Sequence, residues 1–279
     1  MNAFLTRIDA HQHFWKLDRG DYGWLTPEAG AIYRDFLPAD FEPFLDAHRV
    51  SGTVLVQAAP TDAETDFLLS LAEDNPFVRG VVGWVDFEAA DAPQQIAALA
   101  ERSALVGLRP MIQDIPDVDW MLRPQLTPAF EAMARHALTF DALTLPGHLK
   151  NLRVLLDRHP DLTTVIDHGS KPAIRTRAFD AWAHDMSVLA RQTSACCKLS
   201  GLVTEAADGW TVDDLRPYVD HLLASFGADR LIWGSDWPVC TLAATYADWV
   251  AATDRLLAGL SEAQARCVLH DNAVRVYGL

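Results

Sequence analysis

The chain has 279 residues, 38 of them acidic and 23 basic, for a net charge of −15 at neutral pH. That balance disfavours a nucleic-acid backbone or an anionic membrane surface as a partner, and no run approaches the roughly 18 apolar residues that a membrane helix needs. Half of the residues are hydrophobic, enough for a large core, and the length suits one α/β barrel domain spanning residues 1–279.

Along the chain, short apolar runs alternate with longer segments of helical spacing. The first run, "LTRIDA" (5–10), leads straight into His11 and His13. Residues two apart on a strand share a face, so both imidazoles should converge on one spot. Residues 14–37, which include Trp15, Trp24 and Pro27, are too many for a simple strand-to-helix turn and read as an insertion after strand 1, lying over the barrel mouth. A helical segment at 38–50 precedes "GTVLVQA" (52–58), which carries Gln57. A helix at 61–75 precedes "RGVVGWVDF" (79–87), which carries Trp84 and Asp86. After a helix at 92–103, "ALVGLRPM" (104–111) presents Arg109; after one at 126–137, "LTFDALTL" (138–145) is followed by His148. A helix at 149–160 leads to "LTTVIDH" (162–168), ending in Asp167 and His168 with Lys171 close behind. Helices at 179–192 and 212–227 bracket "SACCKLSG" (194–201), and "RLIWGSDWP" (230–238) delivers Asp236. Several helical segments open with Thr, Asp or Pro, which start helices well.

Eight strands, most of them followed by a helix, predict a (β/α)8 barrel. A doubly wound open sheet is the alternative, but the chain has neither a GxGxxG turn nor a P-loop signature. In a barrel, chemistry sits at the C-terminal ends of the strands, and that is where the polar residues fall. The D-x-H-x-H motif with His11 and His13, the later His168 and the last strand-end Asp236 form an N/N/N/O set suited to one divalent ion such as zinc or manganese.

The segments "IDAHQHFW", "VGLRPMIQDIPD", "VIDHGSKP", "KLSGLVTEA" and "LIWGSDWPVC" together resemble the lactonase branch of the amidohydrolase superfamily, the branch of L-fuconolactonase and L-rhamnonolactonase-like enzymes. The resemblance runs nearly end to end. It implies a distorted (β/α)8 TIM barrel of amidohydrolase type that opens a sugar-acid lactone, such as L-fucono- or L-galactono-lactone. Where many metal-dependent relatives place a bridging carboxylated Lys or a Glu on strand four, this chain has Arg109. A binuclear centre is therefore not expected; a mononuclear one, or none, is.

Lactone hydrolysis needs a base for water, an electrophile for the carbonyl and a proton for the leaving alkoxide. Asp236 is the expected base and later acid, with Trp233 and Trp237 beside it raising the cost of its charge. His11, His13 and His168 would hold a metal or hydrogen-bond the oxyanion directly. Arg109, His148, Lys171, Trp24 and Trp84 are the expected substrate-binding residues, the indoles suiting the apolar face of a sugar ring. A metal-dependent non-oxidative decarboxylase, a lactonase acting on a carboxylated lactone, and a barrel that only binds a sugar derivative are the competing readings.

The four cysteines, Cys196, Cys197, Cys240 and Cys267, form no disulfide framework. With no leader-like N-terminus, a cytoplasmic enzyme of small molecules is expected, with monomer and homo-oligomer equally compatible. Cys240 reads as a small buried hydrophobe, and the pair Cys196–Cys197 should divide between barrel interior and exterior.

Overall fold

The computed structural model describes residues 5–279 and contains one sheet of eight strands in sequence order. These are β1 (Arg7–Gln12), β2 (Val50–Val56), β3 (Val78–Gly83), β4 (Leu105–Leu108), β5 (Thr139–Ala142), β6 (Thr164–Ile166), β7 (Cys196–Leu199) and β8 (Leu231–Trp233). Each pairs in parallel with the next. Helices stand between successive strands, giving the expected (β/α)8 barrel. The strands are rich in Val, Leu and Ile because both of their faces are covered.

Two apolar layers follow from the period of two. Ile8, Ala10, Val54, Val56, Val165 and Cys196 form one cluster with Tyr277 from the C-terminal helix. Leu55, Leu108, Phe140, Cys197 and Leu199 belong to the larger layer shared with the helices. The vicinal cysteines thus divide as expected, and all four are free. Helix Leu149–Arg158 illustrates the outer packing: Leu149, Leu152, Leu155 and Leu156 are its buried face, the i, i+3, i+6, i+7 stripe of an amphipathic helix. Truncating one such leucine to Ala costs about 2–5 kcal/mol.

The barrel is distorted where its ends meet. Among the described residues β8 and β1 share no regular ladder, only a bridge between Gln12 and Trp237. Four bonds hold this seam: Asp236 N–H to the His11 carbonyl at 2.7 Å, His13 N–H to the Trp237 carbonyl at 2.7 Å, Ser235 N–H to Asp9 Oδ1 at 2.8 Å and the Ser235 hydroxyl to the His11 carbonyl at 3.4 Å. Gly234 permits the approach, since a Cβ there would lie 2.7 Å from the His11 Cβ. A register shift on β1 between Asp9 and Gln12 re-aims the side chains. Asp9 turns to Tyr246 of the outer helix Tyr246–Leu256, whereas His11 faces Lys198 on β7.

Residues 14–37 form the expected insertion, with 3-10 turns at Leu17–Arg19 and Pro27–Ile32 and a bridge from Trp15 to Phe36. Trp237 anchors it, with Phe14, Phe36 and Phe41 packed edge-on at 6.2, 5.1 and 5.4 Å. No described helix is long and apolar enough to cross a membrane.

Candidate active site

A cavity of about 180 Å³ opens where the strands end, lined on its polar side by His13, Arg109, His168, Lys171 and Asp236. Trp24 from the insertion, Ala58, Met111, Leu143 and Val239 supply apolar wall, and Gln113 and Asp114 sit on the turn after β4. Pockets for drug-sized ligands run to roughly 300–1,000 Å³. This one suits a single small ring.

The backbone around the site is unusual. His168, Gly169, Ser170 and Lys171 all have φ between 50° and 59°, a left-handed turn that costs about 1–2 kcal/mol for each non-glycine residue. Surrounding bonds hold it: Trp182 Nε1 donates to the Gly169 carbonyl at 2.7 Å, Ser170 and Thr144 hydroxyls pair at 2.8 Å, and His168 Nδ1 meets Ser200 Oγ at 2.9 Å. Gly201 leaves room for that imidazole, because a Cβ there would sit 2.4 Å from Nδ1. The turn brings both His168 and Lys171 to the cavity. Asp236 is likewise left-handed, with φ 60°, and strain of this kind concentrates at functional sites.

Three imidazole Nε2 atoms converge on one carboxylate oxygen. Asp236 Oδ1 lies 3.3 Å from His13, 3.7 Å from His11 and 3.9 Å from His168. Burial lowers the basicity of all three rings, and His168 falls to about 4. Burial alone would raise the Asp236 carboxyl, but His168, the bond to His13, and His11 outweigh it and hold the group well below the usual carboxylate range. The site is an ionised Asp236 facing three imidazoles that burial makes weakly basic. Burial thus raises the cost of the charge as expected, but the imidazoles overcome it. Trp233 donates to Thr253 in the outer layer, and Trp237 packs among the insertion's phenylalanines.

Behind the cavity lies a buried ionic network. Lys198 Nζ contacts Asp141, lies 3.1 Å from Asp167 Oδ1 and 3.1 Å from His11 Nδ1. Tyr277 donates to Asp141 at 2.8 Å, and Arg109 reaches Asp167 at 3.3 Å and His11 Nε2 at 3.2 Å. Burial pushes Asp141 up to about 6 despite Lys198, whereas Lys198 and His11 overcome burial at Asp167 and hold it well below the usual range. Buried charges persist only when paired in this way. Lys198 and Asp141 escape a motif reading; their signal is a charge of each sign inside apolar runs, "ACCKLSG" and "LTFDALT".

Of the expected substrate-binding residues, Arg109, Lys171 and Trp24 line the cavity, and His148 and Trp84 do not. His148 instead closes its own turn, its Nδ1 accepting from Leu145 N–H at 3.0 Å. Trp84 lies just past the end of β3, with its backbone tied to the Thr65 hydroxyl. Asp86 is exposed and caps a local turn, while Gln57 donates to the Arg109 carbonyl at 2.6 Å. Cys240 is buried with its thiol pushed well above the usual value by burial, as expected of an inert thiol.

The four expected metal ligands do not gather as one set. His11, His13 and Asp236 each offer an atom within 4.8 Å of the others, whereas His168 groups instead with His11 and Asp167. The donor chemistry of the first trio fits a divalent ion. His13 Nδ1 is 2.7 Å from the Val56 carbonyl, and a carbonyl only accepts, so Nδ1 carries the proton and Nε2 points a bare lone pair at Asp236 Oδ1. Two acceptors at 3.3 Å repel unless a proton or a cation lies between them. Tetrahedral zinc ligands, with bonds of about 2.0–2.1 Å, stand about 3.3 Å apart. Arg109 competes for the same place by donating to His11 Nε2.

Histidines and an aspartate at the C-terminal mouth of a (β/α)8 barrel define a hydrolase of the amidohydrolase kind. A family model described as amidohydrolase matches residues 8–279, and the chain belongs to that family. It is similar to an L-fucono-1,5-lactonase of Burkholderia ambifaria, 46% identical over 98% of this chain and 92% of that one. It is also similar to an L-fucono-1,5-lactonase of Burkholderia multivorans, 34% identical over 98% of this chain and 96% of the other. Among solved structures, an amidohydrolase of Burkholderia multivorans with bound zinc superposes with a TM-score of 0.91 at 34% identity, covering 98% and 99% of the two chains.

Proposed function

We propose that this chain is a lactone hydrolase that opens a sugar-acid lactone of the L-fucono-1,5-lactone type to the free aldonic acid. The observation that carries this reading is the convergence of three histidine Nε2 atoms on one oxygen of an ionised Asp236, in a cavity sized for one ring. The full-length similarity to two proteins named L-fucono-1,5-lactonase supports the substrate class.

Asp236 orients a water against the lactone carbonyl and takes its proton as the new C–O bond forms. The carbonyl becomes an oxyanion, which Arg109 and Lys171 meet with positive charge. The Lys171 ammonium lines the cavity and makes no hydrogen bond to a described residue, its charge acting on the nearby Glu205 carboxyl. Asp236 then returns the proton to the ring oxygen as the C–O ring bond breaks. At neutral pH the acid product ionises, releasing one proton per turnover. A divalent ion, held by His11, His13 and Asp236, would supply Lewis-acid polarisation of the carbonyl. Trp24 packs on the apolar face of the ring.

The decarboxylase alternative lacks comparable support, since the relatives at 46% and 34% identity bear the name of a lactonase. A carboxylated lactone calls for several cations at the mouth, whereas only Lys171 and Arg109, whose charge is shared with Asp167, line the cavity. Proton release followed with a pH indicator across a panel of aldonolactones tests the reading. Turnover on 1,5-lactones is expected, and inactivity on every lactone refutes it.

A further inference from the structure

The wall opposite Asp236 contains a polar group that the hydrolytic chemistry leaves unused. Gln113 sits on the 3-10 turn Ile112–Asp114, the first of three after β4, and lines the cavity. Its backbone is fixed by three bonds around it: Gln113 N–H to the Leu143 carbonyl at 3.1 Å, Asp114 N–H to Met111 at 3.0 Å, and Ile115 N–H to Ile112 at 3.1 Å. The first of these ties the loop after β4 to the loop after β5. The side chain has no such anchor. Its Oε1 is buried without a hydrogen-bond partner, and its Nε2 donates to no described residue.

Gln113 is half-buried, and a buried carboxamide oxygen left without a donor is costly unless a ligand completes it. The carboxamide offers an acceptor and a donor side by side, the complement of two adjacent ring hydroxyls, each of which can donate and accept. A carboxylate has only acceptors at neutral pH, so it could take a bond from Nε2 but would leave the buried Oε1 unpaired. Met111 and Leu143 beside Gln113 are apolar, and Asp114, the other polar residue of this turn in the wall, offers acceptors but no donor.

We propose that Gln113 is the specificity-determining residue of this site, reading a vicinal diol on the substrate ring and selecting polyhydroxylated lactones over flat or carboxylated ones. This rests on the lactone-hydrolase reading above. Gln113 touches the substrate away from the scissile bond, so it acts on binding and leaves the chemical step alone.

The test compares the wild type with Gln113→Met, which keeps length without polarity, and Gln113→Glu, which keeps an acceptor. Steady-state KM and kcat are measured on an aldono-1,5-lactone and on the unsubstituted six-membered lactone, with circular dichroism to verify the fold. For Gln113→Met, KM for the hydroxylated lactone should rise roughly 10- to 100-fold, as expected for two neutral hydrogen bonds, with kcat little changed. Its kcat/KM on the unsubstituted ring should match the wild type, and Gln113→Glu should recover part of the loss. An unchanged KM in Gln113→Met, or equal losses on both lactones, overturns the assignment while the hydrolase reading stands. A wild type that opens neither lactone overturns both.

Discussion

His13 Nε2 and Asp236 Oδ1 face each other at 3.3 Å, with the other nitrogen of His13 bound to the Val56 carbonyl at 2.7 Å. The two residues are 223 positions apart, and the open seam between β8 and β1 brings them together. Their facing lone pairs make this the place where a proton or a cation is most favoured. Protein freed of metal by chelation should take up one zinc per chain, measured by metal analysis after equilibrium dialysis. His13→Ala should weaken that uptake by at least the roughly 10- to 100-fold that follows loss of an outer-shell partner. Equal zinc content in both proteins would remove His13 from the site.

Lys198 neutralises Asp141 and Asp167 where all three side chains are fully buried. Lys198→Met leaves two carboxylates without their cation and should cost about 3–5 kcal/mol in urea unfolding. Adding Asp141→Asn should cost less than the sum of the single changes, because both act in one network. Strict additivity would mean that the contacts carry no coupling.

The fold was legible in the sequence because the barrel depends on local signals: eight short apolar runs alternating with segments of helical spacing, several of them opened by Thr, Asp or Pro. His11, His13, His168, Asp236 and Arg109 stood out because polar residues at the ends of apolar runs have few reasons to be there, Lys171 because it follows such an end closely, and Trp24 because it lies in the insertion over the mouth. His148 and Trp84 misled because a residue past the end of a strand, one position on for Trp84 and six for His148, can face a turn as easily as the cavity. Lys198 and Asp141 were hidden because each is meaningful only with its partner, and the sequence places them 57 positions apart. The low basicity of the histidines was also out of reach, since it depends on how completely three dimensions bury them.

Glu64 ties the insertion to the barrel, its carboxylate accepting from the Tyr22 hydroxyl at 2.6 Å and from Ala58 N–H at 3.1 Å. Burial pushes its carboxyl from 4.5 up to about 7, against the lowering effect of those bonds. The folded protein therefore binds more protons than the unfolded chain between these values, so this contribution to stability is full below pH 4.5 and is lost as pH rises through 7. Glu64→Gln cannot titrate. From pH 5 to 8 the wild type should lose on the order of 3 kcal/mol relative to the variant, read from urea midpoints; parallel pH profiles would contradict this.

Trp24 is 41% exposed at the cavity wall, its indole N–H held by the Ala58 carbonyl at 2.7 Å. Trp24→Ala removes a face for the sugar ring without touching the reacting groups. KM should rise roughly 3- to 10-fold with kcat nearly constant. A fall in kcat at unchanged KM would place Trp24 in the chemical step.

The most direct test of the account is proton release from an aldono-1,5-lactone by the wild type and by Asp236→Asn at equal concentration, with lactone affinity measured on both. The account predicts one proton per lactone opened by the wild type, a loss of at least about 10²- to 10⁴-fold in kcat for the variant, and affinity within a few-fold of wild type. Turnover by Asp236→Asn at the wild-type rate would contradict it.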